Sequence, residues 1–126
     1  VFIKNARRVR KVFGGGMRQA GIIAAGGLYA LKNNVNRLKT DHSHAKKLEV
    51  ALNKLDWIEK IVPVETNIVV PVLREFDKRD LIIDKLDEQG IKIMDFGPGM
   101  LRFVTHMDVS VEDVDKTITI LKELEI

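Results

Sequence analysis

Hydrophobic residues at Phe2, Ala6, Val9 and Phe13 recur at steps of four, three and four, which puts them on one face of a helix with the arginines on the other. Gly14, Gly15 and Gly16 end it. A second helical stretch, 19–31, is apolar nearly all round (Ile22, Ile23, Leu28, Tyr29, Leu31), so burial is expected. Gly26 and Gly27 inside it cost about 1 kcal/mol each relative to Ala, which implies a close helix or backbone crossing there. After Asn33-Asn34 the stripe resumes at Val35, Leu38, His42, Ala45, Leu48, Leu52 and Leu55, a long helix with one wet face.

From Trp57 the texture changes to short β-rich runs. The first strand region covers 58–64 and 66–73, with Pro63 and Pro71 forcing an edge position or a bulge. Asp77 is a candidate N-cap for a helix that turns Leu81, Ile82 and Leu86 inward and stops at Gly90. Two strands, 91–96 and 100–106, flank the turn Gly97-Pro98-Gly99 and predict a hairpin. Ser110 and Asp113 form a capping box for a last helix whose Val111, Val114, Ile118, Leu121 and Leu124 face the core. The order predicts an α+β fold: a helical segment, 1–56, followed by a small α+β domain, 57–126, with a short antiparallel sheet covered by helices.

Composition narrows the class. The 126 residues are 45% hydrophobic and 31% charged, ordinary globular values that argue against disorder. With no cysteine, a disulfide framework and thiolate metal sites are excluded. The longest mainly apolar run, 21–31, falls short of the roughly 20 residues a bilayer span needs, and nothing resembles a signal peptide, so no membrane partner and a soluble, cytoplasmic protein are expected. The chain opens at Val1 inside a helix without an initiator Met, which suggests a fragment. The net charge of +3 hides an asymmetry. Residues 1–40 carry nine basic side chains and no acid (Lys4, Arg7, Arg8, Arg10, Lys11, Arg18, Lys32, Arg37, Lys39). Such a head suits a phosphate, a nucleic acid or an acidic domain, but neither aromatic interleaving nor zinc spacing favours nucleic acid.

Three features could carry chemistry. In the segment from Phe13 to Gly21, three glycines precede a helix start with Arg18 on its first turn, and free backbone N–H groups there would suit a phosphate or carboxylate. A glycine C-cap followed by an ordinary turn is the plainer alternative. In Leu101-Arg102-Phe103-Val104-Thr105-His106, alternation puts Arg102, Val104 and His106 on one face and Leu101, Phe103 and Thr105 on the other. A covered guanidinium needs an anion, and a ligand carboxylate held by a bidentate fork would serve; an exposed face or a structural ion pair is the alternative. His42 and His44, two apart on a helix, point to different sides, so no metal site is expected, and His106 beside Asp108 suits a hydrogen-bonded strand end.

At these residues the chain meets a family. The run Ala6-Arg-Arg-Val-Arg-Lys-Val-Phe-Gly-Gly-Gly-Met-Arg-Gln-Ala-Gly-Ile-Ile-Ala-Ala25, then Leu28 to Leu31, Asp41-His42 and Ala45, and later Leu101-Arg-Phe-Val-Thr-His-Met-Asp-Val-Ser110, resembles the low-specificity L-threonine aldolases. These are pyridoxal-phosphate lyases of fold type I. The resemblance spans essentially the whole chain but only the family's carboxy-terminal part, so the Schiff-base lysine would lie upstream, and no residue here is assigned a catalytic role. It implies that Arg102 grips the substrate carboxylate, and that Lys11 and Arg18 reach a neighbouring subunit's site near the cofactor phosphate. Phe103 departs from the family's usual aliphatic residue, a packing change that leaves Arg102 intact.

In that light 1–56 would close the large domain and carry the connecting helix, and 57–126 would be the small domain. The implied protein is a homotetramer that includes a missing N-terminal large domain, takes an amino acid as its small-molecule substrate and cleaves threonine to glycine and acetaldehyde. The 126 residues alone would then be inactive. Another β-eliminating lyase, or a stand-alone basic binding module, are the alternatives.

Overall fold

The structure, a computed structural model, describes residues 1–126 and is α+β, as expected. It divides into two units, Val1–Asn36 and Arg37–Ile126. The first holds α1 (Phe2–Val12) and α2 (Gly21–Asn33). Neither helix buries a residue within this chain. The expected burial of the 19–31 stretch is therefore not met here: Ile22 is 74% exposed and Leu31 71%. A Cβ added at Gly26 or Gly27 would meet nothing within 4 Å. Hydropathy states that a surface wants cover, not what supplies it.

The second unit begins with α3 (Leu38–Leu52), followed by β1 (Ile58–Ile61), β2 (Ile68–Val69), β3 (Pro71–Leu73), a 3-10 turn at Phe76–Lys78, α4 (Arg79–Glu88), β4 (Met94–Asp95), β5 (Leu101–Val104) and α5 (Val111–Glu123). The second unit thus opens on α3 rather than on the first strand. The reason lies in α3, whose Ala45, Leu48 and Leu52 are buried in one cluster with Val69, Leu73, Leu101 and Phe103 of the sheet and Ile82, Leu86, Val114 and Leu121 of the other helices. Each such aliphatic side chain contributes about 1.5–3 kcal/mol when fully withdrawn from water, enough to tie α3 to the strands that follow it.

The strands form an antiparallel pair, β1-β3, and an antiparallel three-stranded sheet, β2-β5-β4. Ile68 pairs with Val104 and Val69 with Phe103, and the bridge Val72↔Met100 keeps the same register, so β2 and β3 are two parts of the expected 66–73 strand. Its ladder breaks at Pro71, which has no N–H to donate. Pro71 itself is buried opposite Ile61 between β1 and the hairpin, not at an edge, and the bulge falls in β1 between Ile58 and Lys60. Asp77 does not cap α4: it lies in the 3-10 turn, and Lys78 occupies the cap position without a side-chain bond. Leu81 is exposed while Ile82 and Leu86 are buried. Before α5 the capping box forms as expected, with Asp113 N–H donating to Ser110 Oγ at 3.1 Å and Ser110 N–H donating to Asp113 Oδ2 at 2.9 Å. No helix is long and apolar enough to cross a membrane.

Candidate functional site

The hairpin that presents Arg102 is set by its turn. Phe96 N–H donates to Met100 O at 3.0 Å and Met100 N–H to Gly97 O at 3.1 Å. Gly97 and Gly99 take φ values of 121° and 64°, where a side chain is strained. Leu73 N–H donates to Gly99 O at 2.8 Å and pins the turn to β3. The Phe76 ring lies over Gly99 so closely that a Cβ there would come 2.7 Å from Cε1 and nearer still to Cδ1.

From this turn β5 alternates as the sequence predicts, with Leu101, Phe103 and Thr105 buried and Arg102 and Val104 on the opposite face. Arg102 lies directly opposite Met94 in the ladder. Its Nη2 donates to Met94 Sδ at 3.1 Å, and the guanidinium carbon stands 5.9 Å from the centre of the Phe96 ring. Arg102 Nε is buried and has no hydrogen-bond partner. No carboxylate of the chain forms an ion pair with Arg102, although Arg79 nearby pairs with Asp80 and Asp95. The structural ion-pair alternative is therefore absent from this chain. What remains is a partly covered guanidinium whose only protein acceptor is a weakly accepting thioether, with fork geometry suited to a carboxylate.

Sequence inspection gave Thr105 its buried face but missed its role. The residue is 1% exposed. Its hydroxyl donates to Asp41 O of α3 at 2.7 Å, its N–H donates to Asn67 O at 3.0 Å, and its carbonyl accepts from Asn67 Nδ2 at 2.7 Å. This clamp fixes the end of β5, three residues beyond Arg102. The signal for it is a threonine on the apolar face of a strand, where its hydroxyl must find a partner. Asp41 is itself buried and held by Arg37 in a two-bond fork of 2.7 and 3.1 Å.

In the first unit the glycine segment turns out to be a cap. Gly14, Gly15 and Gly16 donate their N–H groups to Lys11 O, Arg10 O and Gly14 O at 3.1, 2.8 and 3.0 Å. The first two amides are taken by carbonyls of α1 and the third by Gly14 itself, which is the glycine-cap alternative; at the helix start that follows, Ile22 N–H donates to Gln19 O and Ala24 N–H to Ala20 O. Arg18 stands in the turn before α2 rather than on its first helical turn. Lys11 and Arg18 are both exposed and neither enters an ion pair. Any anion here would be held by these side chains, not by the glycine backbone.

The histidines separate as their spacing requires. His44 is buried, with Nδ1 lacking a partner, whereas His42 is half-buried. The expected stripe is thus rotated, with His44 rather than His42 facing inward. His106 is turned to Asp108, 3.5 Å from its carboxylate, at the end of the strand.

Comparisons with known proteins bear on this arrangement. Residues 1–75 match the family model described as Beta-eliminating lyase. Over 97% of its length the chain is 33% identical to Low-specificity L-threonine aldolase 1 of Arabidopsis thaliana, of which it covers 35%. Over 90% of its length it is 37% identical to Low specificity L-threonine aldolase of Escherichia coli (strain K12), of which it covers 32%. The chain therefore spans about a third of the length of these curated relatives. Among solved structures, lysine aminotransferase from M. tuberculosis aligns with a TM-score of 0.51 at 18% identity, covering 82% of this chain and 22% of that one. At that identity the likeness concerns the fold alone.

Proposed function

The chain belongs to the beta-eliminating lyase family, and from that membership we propose that it is the carboxy-terminal part of a pyridoxal-phosphate-dependent threonine aldolase. Such an enzyme cleaves the Cα–Cβ bond of a β-hydroxy-α-amino acid to give glycine and an aldehyde. The observation that carries the proposal is Arg102, a guanidinium with a buried, unpartnered Nε and no carboxylate from its own chain. Leaving a buried donor unpaired costs about 1–3 kcal/mol, a cost that a ligand carboxylate would remove. The similarity to named threonine aldolases supports the choice of substrate.

Within this proposal Arg102 binds the α-carboxylate through two parallel hydrogen bonds, which fixes the plane of that group and with it the orientation of the bonds at Cα. The clamp at Thr105 and the turn at Gly97–Gly99 hold β5 from both ends, so the guanidinium reaches the substrate pre-positioned. Lys11 and Arg18, exposed cations without carboxylate partners, fit the phosphate of the cofactor, and the proposal has them serve a neighbouring subunit in a homotetramer. Pyridoxal phosphate, when bound, supplies the electron sink for bond cleavage. The first unit would close the large domain of each subunit, and the small domain would follow the connecting helix α3. The lysine that attaches the cofactor is assigned to a part of the protein outside these 126 residues.

The test is product identity. The full-length protein incubated with L-threonine should release glycine and acetaldehyde in equal amounts. Ammonia and 2-oxobutanoate would instead identify a β-eliminating reaction and overturn the aldolase assignment.

A further inference from the structure

We propose that Met94 is a reversible oxidation site whose sulfoxide occupies the carboxylate-binding fork of Arg102; the idea rests on the proposed role of that arginine. Cross-strand pairing fixes the two residues opposite each other on one face of the sheet, so the contact between Nη2 and Sδ at 3.1 Å is built into the ladder. Met94 is 58% exposed and accessible to a small oxidant. A thioether is a weak acceptor and yields readily to an incoming carboxylate. A sulfoxide does not.

Hydrogen peroxide is the oxidant the chemistry requires. A sulfur lone pair attacks one peroxide oxygen, the S–O bond forms as the O–O bond breaks, and the second oxygen leaves as water. Sulfur loses two electrons and peroxide gains them. The new oxygen carries partial negative charge and is covalently held beside the guanidinium. It competes with a substrate carboxylate for the same N–H donors at the high effective concentration of a tethered group. Saturating substrate displaces it, so the effect falls on KM rather than kcat. Enzymatic reduction of the sulfoxide restores the thioether. Met17 and Met107 are also exposed, and neither is among the hydrogen-bond partners of Arg102.

The experiment uses the full-length holoenzyme and its Met94→Leu variant, each compared with its own untreated sample after graded exposure to hydrogen peroxide. Oxygen gain at the Met94 peptide is followed by mass spectrometry, KM and kcat by threonine cleavage, and glycine affinity by calorimetry. In the wild type, KM for threonine and Kd for glycine should rise about tenfold in proportion to Met94 oxidation, the size of one charge-assisted hydrogen bond. kcat should hold, methionine sulfoxide reductase should reverse the rise, and Met94→Leu should show none of it. The proposal is overturned if Met94 oxidises with KM and Kd unchanged, if Met94→Leu loses affinity equally, or if Met94 stays reduced while Met17 and Met107 oxidise. An Arg102→Lys variant run alongside separates the failures: unchanged KM there removes the arginine's role itself, whereas a raised KM there with no peroxide effect removes only the sulfoxide.

Discussion

Gly99 and Gly90 both adopt left-handed backbone, with φ of 64° and 78°, yet their surroundings differ. A Cβ at Gly90 meets nothing within 4 Å, whereas at Gly99 it overlaps the Phe76 ring. Alanine at Gly90 should therefore cost only the left-handed penalty, about 1–2 kcal/mol. Alanine at Gly99 adds overpacking of about 1–3 kcal/mol, for a total of about 2–5 kcal/mol. The upper part of that range is limited because Phe76 is half exposed and its ring can swing outward. Urea unfolding of the chain, with m-values compared, measures both. Removing the ring by Phe76→Ala should reduce the cost of Gly99→Ala to that of Gly90→Ala, an interaction that a double-mutant cycle reads directly. Equal costs for the two glycines in the unaltered background, or a cost at Gly99 that survives Phe76→Ala undiminished, would refute the assignment of this contact as the restraint on the hairpin turn.

Other expectations follow from the same contacts. Thr105→Val keeps the branched shape and deletes the bond to Asp41 O, so it should lose about 1 kcal/mol in urea unfolding, with Thr105→Ser recovering part. The Asp113 carboxylate is held below its ordinary pKa by hydrogen bonds from the backbone and side chain of Ser110. A depressed carboxylate stabilises the fold above its unfolded pKa and loses that contribution as pH falls through the folded one. Asp113→Asn should thus be less stable than the wild type at neutral pH, and the gap should close on acidification below the usual carboxylate range. In the full-length enzyme Arg18→Ala should weaken retention of the cofactor, and mixed oligomers of Arg18→Ala subunits with subunits lacking the Schiff-base lysine should recover activity; no recovery would restrict Arg18 to its own subunit.

Much of the second unit was legible because its signals are local. The 3.6-residue spacing of Ala45, Leu48 and Leu52, the box from Ser110 to Asp113 and the turn Gly97-Pro98-Gly99 each specify geometry within a few residues. Alternation likewise placed Arg102 and Thr105 on opposite faces of β5. Properties that depend on distant partners were not legible. Which surface the apolar face of α3 would meet was one of these, and α3 met the sheet. The glycine amides could have served an anion or the end of α1, and only the folded backbone shows that those of Gly14 and Gly15 serve α1. The hydroxyl of Thr105 finds Asp41, 64 residues away, and no spacing rule spans that distance. Arg102 was singled out by its chemistry, but the absence of any carboxylate partner shows only in the folded chain.

The role of Arg102 is tested most directly by exchanging it for lysine in the full-length enzyme and measuring threonine cleavage. Lysine keeps the charge and loses the fork. Arg102→Lys should raise KM and lower kcat/KM with cofactor content and melting temperature unchanged, and Arg102→Ala should lose more, about 2–5 kcal/mol for an unpaired buried charge. Unchanged kinetics for Arg102→Lys together with a lowered melting temperature would contradict it, and would make the arginine a support of the sheet instead of a ligand for the substrate.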